Sequence, residues 1–136
     1  GLSYGGLLAL AEACTRDTMP RMFLVDAPLH SGIEVNPPAD GRFDAFKVQY
    51  VHRERLASLC VSLLKDIPDV DLNRIVTIGT TVDDIVAPDA KHLPNSNIDH
   101  VKLPSNITGH GLTADKIQAI VRIMVERLSD KQNFDI

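Results

Sequence analysis

The sequence predicts an α/β fold, a mostly parallel sheet with helices on both faces. Two short apolar runs, Met22–Val25 and Arg74–Gly79, have the length and side chains of strands buried on both sides. Segments with apolar residues at helical spacing lie between and around them. Strands separated by helical crossovers run parallel, and the helices must then cover the sheet faces.

The elements follow in order. After an opening Gly1-Leu2-Ser3-Tyr4-Gly5-Gly6, residues 5–15 read as a helix, with Leu7, Leu10 or Ala11, and Cys14 on one face. Thr18-Met19-Pro20 breaks it. Met22–Val25 is too short for a helix and ends at Asp26-Ala27-Pro28, so it reads as a strand. Residues 27–43, with Pro28, Gly32, Pro37, Pro38 and Gly41, form a long irregular loop of the kind often tied to function. A second helix runs from about Asp44, which suits its N-cap, to about Asp66. Leu56, Leu59, Cys60 and Leu63 are its apolar stripe, and His52-Arg53-Glu54-Arg55 reads as a solvated turn. Ile67-Pro68-Asp69 is a break. Arg74–Gly79 is β-branched and ends on glycine, a second buried strand. Ile98–Leu103 alternates apolar and polar, as a strand nearer a sheet edge does. Ile117, Ile120, Val121, Met124 and Leu128 mark a final amphipathic helix, with Thr113 as its cap and Asp115 near the positive end of its dipole.

With 136 residues, 44% hydrophobic and 24% charged, the chain has the composition of a globular domain or part of one, not of a disordered segment. A net charge of −4 leaves no basic footprint for nucleic acid. No apolar run approaches a membrane span. Cys14 and Cys60 sit in apolar helical segments and read as small buried hydrophobes, with a disulfide as the alternative; two cysteines alone make no metal pattern. No cofactor or metal is called for, and nothing in the residues indicates a compartment.

Three short stretches carry chemistry. In Gly1-Leu2-Ser3-Tyr4-Gly5, the serine heads a tight turn into a helix. A nucleophile thrust from such a turn sits in a strained conformation, and side chains two positions before and after it would collide, so Gly1 and Gly5 leave that space empty while Gly6 lets the helix approach the sheet. The helix N-terminus favours negative charge beside Ser3, and the Tyr4 N–H can serve as an oxyanion donor. A helix start capped by serine is the structural alternative. The second stretch, Thr80-Thr81-Val82-Asp83-Asp84-Ile85-Val86, follows a strand, where a parallel sheet gathers its functional groups. Asp83 can orient a histidine; Asp84 competes with it. The third, Ile107-Thr108-Gly109-His110-Gly111-Leu112, places His110 between glycines just before the last helix, where it can serve nucleophile and leaving group in turn. His100 falls within a strand and reads as structural. His30 and His92 lie on loops without supporting neighbours, and His52 on a charged helix face.

The chain order Ser, Asp, His, each at an element boundary, resembles the carboxyl-terminal part of an α/β-hydrolase, similar to the lipase and esterase branch. GLSYGGLLAL resembles the nucleophile elbow and its helix, RIVTIGTTVDDIVAP the strand and acid loop, with Asp83 in the register of the acid, and ITGHGLTADKIQAIVRIMVERL the histidine loop and last helix. The resemblance implies a carboxylic-ester hydrolase with Ser3, Asp83 and His110 as triad, Tyr4 as one oxyanion donor, and a small-molecule or lipid ester as substrate. It makes residues 1–136 the carboxyl-terminal portion of one hydrolase domain, with a lid-like or inserted segment at about 27–66. The strands that lead into the elbow, and the loop with the second oxyanion N–H, are then expected from an amino-terminal half or a second chain. Leu29, Ile33 and Val35 can cover an acyl chain or simply belong to a surface loop. The same triad serves acyltransferases, thioesterases and amidases, and a non-catalytic, hydrolase-like binding or assembly module is the competing reading. The glycine turn lacks the lysine of a P-loop and the spacing of a dinucleotide fingerprint.

Overall fold

The computed structural model describes residues 1–30, 44–83, 85, 86, 88–95 and 97–132. The order is α1 (Tyr4–Ala13), β1 (Met22–Val25), α2 (Asp44–Leu64), α3 (Asp69–Leu72), β2 (Ile75–Gly79), a 3-10 turn at Pro88–Ala90, β3 (Asp99–Lys102) and α4 (Ala114–Gln132). The short α3 falls where the sequence reads only as a break; its start follows Pro68, and one turn of helix has no periodicity to detect.

The sheet has three strands in the order β1-β2-β3, both pairs parallel. Leu24 pairs with Thr77, and Thr77 with His100, so the strands are level across the sheet. Alternation then sorts the side chains. Leu24 and Ile75 enter one core with Leu7, Leu10 and Ala13 of α1 and Ala57, Cys60 and Leu64 of α2. Val25, Val76 and Ile78 enter the other with Ile120 of α4, backed by Ile123 and Met124. Helices therefore cover both faces. Leu10, Leu24 and Ile75 have no exposed surface, and burial of a side chain of this size contributes about 1.5–3 kcal/mol.

The helix faces differ in detail from the periodicity. On α2 the buried stripe is Ala57, Cys60 and Leu64, while Leu59 is exposed. Arg53 is not solvated: its guanidinium is buried, donates to the carbonyl of His30 at 2.9 Å and pairs with Glu54. On α4, Ile120 faces the sheet and Ile117 and Val121 lie outward. Thr113 caps that helix, its hydroxyl accepting from the Lys116 N–H at 3.3 Å. In the expected lid-like segment 27–66, residues 31–43, including Ile33 and Val35, lie outside the described residues, while α2 contributes to the core. Among the described residues no helix is long and apolar enough to cross a membrane.

Two small additions to the sheet position the site. Leu2 bridges Val25 in parallel, with Ser3 N donating to Val25 O at 2.8 Å and Val25 N to Gly1 O at 2.9 Å. Val82 bridges Thr108, and Gly109 N donates to Val82 O at 2.7 Å. The first pins the serine turn to the end of β1. The second lays the segment after β2 against the one after β3.

Candidate active site at the carboxyl ends of the strands

Ser3 precedes α1 with φ 53° and ψ −134°, a conformation that costs a non-glycine residue about 1–3 kcal/mol and persists only where the surroundings enforce it. Hydrogen bonds to Val25 hold it from one side, and the start of α1 from the other. The space around the turn differs from the expectation in one respect. A Cβ on Gly1 would meet the Cα of Gly6 at 2.6 Å, and one on Gly6 would meet the Cβ of Ala27 at 2.8 Å. A Cβ on Gly5 would meet nothing within 4 Å among the described residues. The crowding thus runs through Gly1 and Gly6, where the turn folds back on itself and α1 presses on Ala27, two residues past β1; position 5 points outward.

Ser3 is not a capping serine, since its side chain makes no bond to the first turn of α1. Its Oγ lies 2.7 Å from His110 Nε2, and His110 Nδ1 lies 2.7 Å from Asp83 Oδ2. An ionised carboxylate only accepts, so Nδ1 carries the ring proton, Nε2 is left bare, and the serine hydroxyl donates to it. Ser3, His110 and Asp83, read from three separate stretches, form one hydrogen-bonded chain spanning 107 positions of sequence. The imidazole is 16% exposed and the Asp83 side chain fully buried, so the chain runs from the surface inward. Tyr4 is the first residue of α1, and an N–H in that position has no acceptor within the helix. Asp84, the competing acid, lies outside the described residues.

Asp83 is saturated with donors. Oδ1 accepts from the backbone N–H of Ile85 at 2.8 Å and of Val86 at 3.2 Å; Oδ2 accepts from His110 and, at 2.9 Å, from Lys91 Nζ. Burial pushes its carboxyl upward, but the bonds from His110, Ile85 and Lys91 outweigh this and hold it below the ordinary carboxylate range.

Behind the triad is a layer of charge that the sequence did not single out. Lys91 and Lys116 are wholly buried, as is Asp26. Lys91 Nζ contacts Thr80 O at 2.7 Å, Asp83 Oδ2 at 2.9 Å and Asp26 Oδ1 at 3.0 Å. Lys116 Nζ pairs closely with Asp26 Oδ2 and donates to the carbonyls of Gly109 at 2.9 Å and His110 at 3.3 Å. Asp26 also accepts from Thr80, at 2.7 Å from the N–H and 2.9 Å from the hydroxyl. Burial raises the Asp26 carboxyl; Lys116, Thr80 and Lys91 together draw it below its usual range. Each ammonium has three acceptors and each carboxylate four donors, the condition under which burying charge is tolerable. Asp26 itself has φ 49°, so among the described residues the two non-glycine positions at positive φ, Ser3 and Asp26, both belong to this site. The only sequence sign was an Asp immediately after a buried strand; nothing in the sequence marks Lys91 or Lys116.

Asp26, Asp83 and His110 each offer a ligand atom within 4.8 Å of the others, a spacing that invites a cation. Here the two ammonium groups fill that role. The other histidines lie elsewhere. His100 Nδ1 is 2.7 Å from Thr77 Oγ1 within the sheet, and burial, then His92 and Lys102, lower its proton affinity. His92 is not without neighbours: its ring centre lies 5.2 Å from that of His100 and 6.2 Å from that of His30. His100 and His92 line a cavity of about 580 Å³ with Thr81, Leu93 and Lys102, and none of Ser3, Asp83 or His110 borders it.

Comparison with protein-family models finds none that matches this sequence, and comparison with curated proteins finds no match.

Proposed function

We propose that this chain carries the catalytic residues of a serine hydrolase of the α/β-hydrolase type, acting on carboxylic esters. The observation that supports it most is the unbroken Ser3–His110–Asp83 hydrogen-bond chain beyond the carboxyl ends of parallel strands, with the serine at φ 53° on the turn into a helix. A serine that merely capped a helix would bond that helix and would not need a strained backbone.

In the proposed reaction Ser3 Oγ attacks the ester carbonyl carbon while His110 Nε2 takes the hydroxyl proton. Asp83 keeps the proton on Nδ1 and steadies the imidazolium that forms. The Tyr4 N–H and the positive end of α1 stabilise the oxyanion; the family resemblance implies a second donor from a preceding loop. Collapse of the tetrahedral intermediate passes the proton from Nε2 to the departing alcohol and leaves an acyl-Ser3 ester. Water, deprotonated by His110, then attacks the acyl carbon, and the acid and free serine are released. A small-molecule or lipid ester is the substrate class. Acyl transfer to another acceptor follows the same steps with an alcohol or amine in place of water.

A fluorophosphonate probe tests the reading. Covalent labelling at Ser3, lost together with ester turnover in Ser3→Ala, is the expected result. Ester turnover that survives Ser3→Ala overturns it, and a full-length protein that never labels at Ser3 favours a non-catalytic binding module.

A further inference from the structure

We propose that Lys91 is a positioning residue that sets the pH range of the Ser3–His110 pair by sharing Asp83 Oδ2 with the imidazole, and that Asp26 and Lys116 hold this arrangement in place. The inference rests on the serine-hydrolase reading and extends it to the buried layer behind the triad.

The geometry supports it in three ways. First, one oxygen atom serves two donors. Asp83 Oδ2 lies 2.7 Å from His110 Nδ1 and 2.9 Å from Lys91 Nζ. The ammonium is thereby within the range of about 4–6 Å over which one charge alters the proton affinity of another. A carboxylate facing histidine alone would spend its full field on the imidazolium. Here part of that field is answered by the neighbouring ammonium, so the carboxylate steadies an imidazolium less than it would alone.

Second, the cation cannot move away. Lys91 Nζ is held by three acceptors from two segments: Thr80 and Asp83 on the loop after β2, and Asp26 after β1. Its side chain has no exposed surface, and Gly79 leaves the room it needs, since a Cβ there would meet Lys91 Cδ at 3.2 Å. Third, the histidine is tied into the same network through its backbone. Lys116 Nζ donates to the carbonyls of Gly109 and His110 and pairs with Asp26, whose backbone sits at positive φ to bring its carboxylate between the two lysines.

Among the described residues, the charged side chains around the ring are therefore Asp83 from the acid loop, Lys91 beyond the 3-10 turn, Asp26 just after β1 and Lys116 on α4. The first turn of α1, Tyr4-Gly5-Gly6-Leu7, adds no charged side chain. Asp26 and Lys116 offset each other in a direct pair, which leaves the contact of Lys91 with Asp83 as the asymmetric one.

The test is the pH dependence of fluorophosphonate labelling of Ser3 in the full-length protein, for wild type, Lys91→Met and Lys91→Gln. Lys91→Gln removes the charge but keeps a donor for Thr80 O and Asp83 Oδ2 if Lys91→Met does not fold. The acidic limb is expected to move up by about one pH unit in either variant, a tenfold slower labelling on that limb. A lower plateau with the limb unmoved shows that Lys91 is only structural and overturns the proposal. If wild-type Ser3 does not label at any pH, the hydrolase reading has failed separately. The electrostatic link is then read from the His110 imidazole titration by NMR, where the same upward displacement is expected and its absence overturns the proposal.

Discussion

Adjacent glycines in α1 provide a measurement in which one contact is isolated. Gly5 and Gly6 lie in the same turn of the same helix, but among the described residues a Cβ on Gly5 meets nothing within 4 Å and a Cβ on Gly6 meets Ala27 Cβ at 2.8 Å. Ordinary carbon–carbon contact is about 3.5–4.0 Å. Ala27 Cβ is not the end of a flexible side chain, so α1 or the segment after β1 must move by most of an ångström. Overpacking of this kind costs about 1–3 kcal/mol. Replacing glycine by alanine in a helix also gains up to about 1 kcal/mol of propensity, and that gain is common to both positions. Gly5→Ala is therefore expected to be neutral or stabilising, and Gly6→Ala to fall about 1–3 kcal/mol below it. Urea unfolding of the two variants gives the difference directly. Ala27→Gly removes the opposing methyl and is expected to restore Gly6→Ala, because the pair shares one contact. Equal stability of Gly5→Ala and Gly6→Ala would refute the close approach on which the Ser3 turn depends.

Asp83→Asn is expected to lower ester turnover by up to about 10⁴-fold, measured as kcat at the pH optimum. Whichever way the amide turns, its NH₂ faces donors, either His110 and Lys91 or the Ile85 and Val86 N–H groups. Facing His110 it forces Nδ1 to accept and moves the ring proton to Nε2, so unchanged turnover would sink the assignment. Asp26 and Asp83 both hold their protons less tightly in the folded state than an ordinary carboxyl does. Their stabilisation is thus complete above the unfolded value of about pH 4 and is lost as pH falls through the lower folded values. Urea midpoints between about pH 2 and 7 should fall steeply on the acid side. Asp26→Asn should flatten that fall and, by leaving two buried ammonium groups short of an anion, cost about 3–5 kcal/mol at neutral pH. Neutral-pH stability equal to wild type would contradict the buried network.

Much of this molecule is legible in local sequence. A run such as Ile75–Gly79 is a strand because β-branched residues without a polar face suit a sheet covered on both sides. The faces of α1 and the order of strands and helices follow from spacing, which is a property of neighbours in the chain. So does the position of Ser3, Asp83 and His110 at element boundaries, since glycines and polar clusters mark those boundaries locally. What the residues alone could not tell was whether three boundaries meet. That depended on the parallel pairing of β1, β2 and β3 and on the short bridges Leu2–Val25 and Val82–Thr108.

The charged layer was out of reach for the same reason. Lys91, Lys116 and Asp26 are 65 and 90 positions apart in their pairings, and an ion pair has no periodicity. A lysine in a loop or on a helix is normally a solvated residue, and only the path of the folded chain decides that these two point inward. The same holds for Gly6 over Gly5: both are simply glycines at a helix start until the segment after β1 passes close to one of them. Local patterning thus determined which elements form and where chemistry could reside. Tertiary packing decided which charges are buried together, because the cost of dehydrating a charge is met only by partners brought from elsewhere in the chain.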